Sequence, residues 1–242
     1  MKLSSTPQIQ FVLCPGRYPT EESRELYNKI YACWHEVWAQ TFLELDGDPH
    51  LKSDAFTRQD AIAAILVNDE CVAMTLIRYA DSTSFAFAND SYFQNWKPEH
   101  LEALTSRGPR ILVCSHFTIH PSARKLNLGF SMKDYLVGLG TQFLLASDFD
   151  AMTGAMRKDR KVHELAYKWG AVPVGVDVPS GHGDFVDLVT FFKDEVVRAR
   201  THEIAPHVQE LWNDIHIIPQ QLPIPFRQTS ARNLNHPPLK IA

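Results

Sequence analysis

The chain has 242 residues, 45% of them hydrophobic, enough for one substantial core with at most an appendage. Lys and Arg number 24 against 28 Asp and Glu, a net charge of -4 without a basic run, which argues against nucleic acid as a partner. No stretch reaches the roughly 20 consecutive apolar residues of a membrane span, and the four cysteines (Cys14, Cys33, Cys71, Cys114) have neither C-x-x-C spacing nor the density of a disulfide scaffold.

The N-terminal MKLSSTPQIQFVLC has no long apolar run or small-residue cleavage site, so a cytoplasmic protein is expected. Ile9 to Leu13 reads as a short strand closed by Cys14-Pro15-Gly16. Thr20, Glu21 and Glu22 open a helix to about Phe42, with Leu26, Ile30, Cys33, Trp34, Val37 and Trp38 on its apolar face. An acidic, turn-rich piece from Glu44 to Pro49 follows. Ala61–Val67 and Cys71–Tyr79 form a predicted hairpin across Asn68-Asp69-Glu70, and Pro98–Thr105 a short helix.

Arg110–His120 is a central strand, Ser131–Ala146 a helix, and Ala151–Met156 a strand. Val162–Trp169 is a helix stopped by Gly170, and Val172–Val178 and Phe185–Phe192 are strands around Pro179-Ser180-Gly181-His182-Gly183. A polar helix from about Asp194 to Asp214 is kinked at Pro206. This order predicts an α/β fold (α+β, one mixed sheet covered by helices) over residues 1–216, with a proline-rich tail or arm at 217–242.

The most informative segment is Phe117–Gly129, FTIHPSARKLNLG. Pro121 ends a strand, Asn127 and Gly129 tolerate positive φ, and Ser131 is an N-cap residue before a helical period. A strand, a loop and a helix N-terminus in that order leave backbone N–H groups aimed at one spot where the helix dipole favours an anion. Arg124 and Lys125 add positive charge, so a phosphate or pyrophosphate fits; the alternative is an ordinary βα connection. Neither G-x-G-x-x-G nor G-x-x-x-x-G-K-[ST] occurs in this context.

Together with the element order, this segment resembles the acyl-CoA signature of the GNAT superfamily of N-acyltransferases, with Asn127 at the position of the first glycine. A second match, Leu165 to Val174, is similar to that family's helix end and strand entry. The resemblance implies acetyl-CoA or a longer acyl-CoA, or an acyl carrier protein, as donor, a small-molecule amine as acceptor and no metal; it is compatible with a homodimer. It implies that the backbone amides of Arg124, Lys125, Leu126, Asn127, Leu128, Gly129 and Phe130 hold the pyrophosphate. The strand edge carrying Phe117 and Ile119 would pair with pantetheine, beside a V-shaped gap to the next strand. Trp34, Trp38, Glu44, Asp46, Asp48 and Arg78 are similar in order to acyl-homoserine-lactone and N-acyl amino acid synthases of this fold. The lactone synthases' Glu-x-Ser-Arg-Phe is replaced here by Val113-Cys114-Ser115-His116-Phe117, so transfer to another amine is the better fit.

Thioester aminolysis needs a neutral amine, an oxyanion donor and a proton for the thiolate. Period-two alternation puts Cys114, His116, Thr118 and His120 on one strand face, subject to a bulge. His116, with a pKa expected nearest neutrality, is the candidate base, against a structural half-buried histidine. Tyr167, one residue from the family's acid position at Ala166, is the candidate acid, and Cys114 a candidate nucleophile; packing is the alternative for both. Cys114, His116 and His120 lack the fourth ligand of a zinc site. Ser180, His182 and Asp184 lie too close in sequence to converge as a triad. Trp34, Glu44, Asp46 and Arg78 are the substrate candidates; Trp34, Trp38, Phe42 and Phe143 suit either an acyl pocket or the core, and the acidic residues either a cationic amine or solvent. A catalytically degenerate acyl-CoA-binding regulatory module is the rival from another class.

Overall fold

The computed structural model describes residues 7–17, 19–126, 128–180, 184–200 and 202–218, and only the main chain of Lys125. Strands β1 (Ile9–Pro15), β2 (Ala61–Val67), β3 (Glu70–Asp81), β4 (Arg110–Ile119), β5 (Ala151–Arg157), β6 (Ala171–Pro179), β7 (Phe185–Phe192) and β8 (His216–Ile217) form one sheet. Their order is β6-β7-β5-β4-β3-β2-β1-β8. The β4–β5 and β1–β8 pairs are parallel and the others antiparallel, so the sheet is mixed as the element order predicts.

Alternation along the strands sends apolar side chains to both faces. Phe11, Leu13, Ala63, Ile65 and Leu112 join a core with α4 (Met132–Ala146), α5 (Val162–Lys168), α6 (Lys193–Ala199) and α7 (Ala205–Asn213). Val12, Cys14, Ile62, Ala64 and Leu76 pack with α1 (Arg24–Asp46) and α2 (Asp54–Thr57). A third cluster buries Phe93 and Trp96, from the segment after the 3-10 helix Phe85–Asn89, with Leu104 of α3 (Pro98–Thr105) against Ile111, Val113 and Ala151. Among the described residues no helix is long and apolar enough to cross a membrane.

Several boundaries depart from the sequence expectation for identifiable reasons. Thr20 and Ser23 do bond reciprocally, Thr20 N to Ser23 Oγ at 3.0 Å and Ser23 N to Thr20 Oγ1 at 3.3 Å, but regular helix begins only at Arg24. It continues past Phe42 to Asp46, because Gly47 (φ 72) supplies the left-handed cap whose N–H donates to Leu43 O. Glu44 and Asp46 therefore stand in the last helical turn rather than in a loop. The polar C-terminal stretch is two helices, with Pro206 in the first turn of α7, where its missing N–H costs nothing. Residues 219–242, which hold most of the proline-rich segment, lie outside the described residues, as do Asn127 and Gly181-His182-Gly183.

Helix α4 approaches α7 closely at Gly138, where an added Cβ would stand 2.7 Å from Val208 Cγ2 and 2.8 Å from the Trp169 ring. Neither neighbour is a flexible chain end, so Gly138→Ala should destabilise the fold by about 1–3 kcal/mol through overpacking. Chemical denaturation checks this; an unchanged midpoint would mean that α4 and α7 are not packed this tightly.

Candidate functional site

The sheet opens at its centre. β4 and β5 pair only at Ile111↔Ala151, Leu112↔Met152 and Val113↔Thr153, while β5 stays paired to β7 as far as Arg157↔Val186. From Cys114 and Gly154 onward the two parallel strands diverge, leaving one main-chain edge of each unpaired by its neighbour. A Cβ on Gly154 would lie 3.3 Å from the Cys114 carbonyl oxygen, so glycine allows the close contact at the point of parting. This is the V-shaped gap that the resemblance implies.

A bulge on β4 borders the gap. Met74 faces Thr118 and Leu76 faces Ser115, which leaves one extra residue on β4, and His116 takes up the excess with φ 52. Two hydroxyls satisfy the displaced carbonyls: Thr75 Oγ1 donates to Ser115 O at 3.0 Å, and Thr118 Oγ1 donates to His116 O at 2.6 Å. Trp38 Nε1 donates in turn to Thr118 Oγ1 at 2.9 Å, tying the bulge to α1. The bulge corrects the expected register. His116 and Thr118 meet α1, as does His120, whose Nε2 lies 3.1 Å from Glu36; Cys114, Phe117 and Ile119 pack towards the core containing α4.

The His116 ring lies between two tryptophans, with centroids 4.5 Å from Trp38 and 5.8 Å from Trp34, and its Nδ1 is 3.3 Å from Ser115 Oγ. Burial pushes its pKa down to about 4. The imidazole is therefore neutral at physiological pH, and the expectation of a pKa near neutrality does not hold. Cys114, half-buried in the gap wall, has its pKa pushed up to about 12, so it carries a thiol rather than a nucleophilic thiolate.

A cleft of about 440 Å³ leads to His116 between the end of α1, the 47–53 loop and α2, with Phe42, Asp46, Asp48, His50, Leu51, Lys52, Asp54 and Ala55 in its lining. Hydrogen bonds from His50 hold the Asp48 carboxyl below its ordinary range. Glu44 and Asp46 occupy the helix end that disfavours negative charge, and no basic residue stands in that turn. Glu44 accepts from Gln40 at 2.9 Å and pairs with Arg160 of the β5–α5 loop at 3.3 Å. Asp46 thus faces the cleft, whereas Glu44 bridges its rim to the far side of the gap.

At the other end of β4, residues Pro121–Lys125 form a 3-10 turn that uses part of the expected donor ring internally: Ala123 N donates to His120 O and Leu126 N to Ala123 O. The amides of Leu128, Gly129, Phe130 and Ser131 have no partner among the described residues. Leu126, Leu128 and Phe130 point inward onto the main core, Gly129 has φ 76, and Ser131 Oγ caps α4 by accepting from Lys133 N at 3.2 Å. The donor array is therefore narrower than Arg124 to Phe130 and lies closer to the helix. Arg124 is exposed and makes no ion pair among the described residues, while Asn127 lies outside them.

The remaining candidates are engaged within the fold. Tyr167 donates to the buried Asp187 at 2.6 Å, and burial with this bond raises its pKa. Trp34 is fully buried against Phe56 and Tyr31. Arg78 forms a two-pronged ion pair with Asp90, which anchors the 85–97 segment. Ser180 and Asp184 hydrogen bond to each other at the base of the β6–β7 connection. Sequence reasoning missed Thr75, Thr118 and Asp187 as organising residues; each is a buried polar residue with apolar neighbours on both sides in its strand, and that is the available signal.

Because the folded pKa of His116 lies below the ordinary value of about 6.5, its contribution to stability is complete above that pH and is lost as pH falls towards 4. At pH 5 the loss should be on the order of 1 to 2 kcal/mol. His116→Asn, a residue that tolerates the same φ, should lose correspondingly less between pH 8 and pH 5 in denaturant titrations. Identical pH dependence in both proteins would contradict the burial of this ring.

No protein-family model and no curated protein matches the chain. Among solved structures, it is similar to FeeM, an N-acyl amino acid synthase from uncultured soil microbes, at 11% identity over 84% of this chain and 98% of that one, with a TM-score of 0.52. It is also similar to BjaI, a CoA-dependent acyl-homoserine lactone synthase solved with SAM and isopentyl-CoA, at 13% identity over 84% of this chain and 90% of that one, with a TM-score of 0.52. The likeness is one of architecture: the chain shares the fold of these two synthases.

Proposed function

We propose that this protein is an N-acyltransferase that moves an acyl group from acyl-CoA, or from the phosphopantetheine of an acyl carrier protein, to a primary amine by direct attack. The carrying observation is the parting of β4 and β5 beyond Val113↔Thr153, beside a bulge, together with the open amides before α4. A pantetheine arm carries amides spaced like a peptide and suits an unpaired strand edge. The amides of Leu128 to Ser131, the α4 dipole and Arg124 suit its pyrophosphate.

The acceptor reading rests on the cleft. Asp46, Asp48 and Asp54 favour an ammonium over an anion at the entrance. His116, neutral and at the inner end, accepts a hydrogen bond from the amine and directs its lone pair towards the thioester. The amine nitrogen bonds to the carbonyl carbon, the C–S bond breaks, and the thiolate requires a proton. Cys114 as a thiol supports direct attack over a covalent acyl-enzyme.

A second reading, an N-acyl amino acid or autoinducer-type synthase with a long-chain donor, is favoured by the fold shared with FeeM and BjaI. Donor length separates the two. Titration with octanoyl-CoA, acetyl-CoA and free CoA should give binding, with octanoyl-CoA tightest under the second reading. Arg124→Glu should weaken acyl-CoA binding on the order of tenfold without changing thermal stability. His116→Ala should lower kcat/KM with an accepted amine on the order of 100-fold. No binding by any of the three ligands would remove acyl-CoA as the donor, and binding without thiol release across a broad amine panel would favour a regulatory module.

A further inference from the structure

The 85–97 segment carries one polar atom that the fold itself does not use. Tyr92 Oη is fully enclosed and has no hydrogen-bond partner. Burying such an atom without a partner is unfavourable, so its retention calls for a reason outside the fold. The Tyr92 ring packs against the cluster that holds Ile111, Val113 and Ala151, at the last β4–β5 pairs, which places it at the apex of the gap. The Cys114 thiol and the Ala155 main chain both act on its ionisation. On opposite walls, Cys114 is the first β4 residue and Ala155 the second β5 residue beyond the last pair, Val113↔Thr153.

The hydroxyl is also rigidly held. Tyr92 N donates to Asp90 Oδ1 at 2.9 Å, Asp90 is clamped by Arg78, and the Arg78 guanidinium lies 6.0 Å from the Tyr92 ring centroid. Phe93 and Trp96 pack beside the ring at 5.0 and 6.1 Å. Burial raises the pKa of Tyr92, which keeps its proton in place at neutral pH. The other tyrosine near the gap, Tyr167, already gives its proton's hydrogen bond to Asp187.

We propose that Tyr92 is the catalytic acid of the acyl transfer, meeting the thioester sulfur at the inner end of the β4–β5 gap. As the amine nitrogen bonds the carbonyl carbon, the C–S bond breaks with its electron pair on sulfur, and Tyr92 passes its proton to that sulfur. The new amide nitrogen sheds a proton to solvent, and solvent returns one to the tyrosinate. Arg78 and Asp90 are then positioning residues that act through Tyr92.

This inference rests on the acyl-transfer reading, so its test includes a measurement of donor binding. The probes are octanoyl-CoA as donor and hydroxylamine as a small acceptor that is unprotonated at neutral pH. Tyr92→Phe should lower kcat on the order of 100-fold, leave the KM for octanoyl-CoA within about twofold, and leave Tm unchanged or raised because an unpaired buried hydroxyl is gone. A merely structural tyrosine would not give this split. A kcat within about threefold of the unmodified protein, or a loss accompanied by a lowered Tm, overturns the assignment. Calorimetric titration of octanoyl-CoA into the unmodified protein separates the two levels. No binding, or binding without turnover, overturns the acyl-transfer reading and this one with it; binding with turnover that survives Tyr92→Phe overturns only the role of Tyr92.

Discussion

The site depends on one short chain of hydrogen bonds, from Trp38 Nε1 to Thr118 Oγ1 and from Thr118 Oγ1 to the His116 carbonyl. A non-glycine residue at φ 52 costs roughly 1–2 kcal/mol and persists only where its surroundings over-determine it. Here they do. Thr118 is fully buried, Thr75 satisfies the adjacent carbonyl, and α1 lies across the bulge. The extra residue bends β4 at the place where β5 ceases to follow it, so one local irregularity accompanies both the gap and the presentation of His116.

The two faces of β4 thereby take different tasks. On the α1 side, the acidic cleft and the aromatic cage around His116 suit a cationic acceptor that must give up its charge as it moves inward. On the gap side, the unpaired edges and the amides before α4 suit a long, thin donor with a charged head. Glu44 and Arg160 join the end of α1 to the β5–α5 loop and so span the mouth between them. Asp46 holds its negative charge at an unfavourable helix-dipole position in the cleft lining, where it serves the cleft rather than the helix.

Much of the framework was legible in the sequence because local signals agreed with the fold. α3 begins at Pro98 and β7 runs from Phe185 to Phe192 as expected, since a helix-starting proline and a short apolar run bounded by turn residues need no tertiary information. Asn68-Asp69 turns the β2–β3 hairpin with φ 51 and 68, as those residue types allow. The site was less legible. Strict alternation cannot register an inserted residue, so it puts Cys114 and His116 on one face. A residue's identity does not report its burial, so the sequence alone suggests an ordinary pKa for His116. The 85–97 segment has no period, because its aromatic residues fold as 3-10 and turn structure against the sheet, and Tyr92 could not be found from spacing.

The central claim, that the diverging edges of β4 and β5 receive the arm of an acyl-CoA, is tested most directly by amide hydrogen exchange of the whole protein with and without octanoyl-CoA. The account predicts that the ligand slows exchange selectively at Cys114 to Thr118, at Gly154 to Met156 and at Leu128 to Ser131, because its amides and phosphates fill those positions. Unchanged exchange at all three segments in the presence of saturating octanoyl-CoA would contradict it.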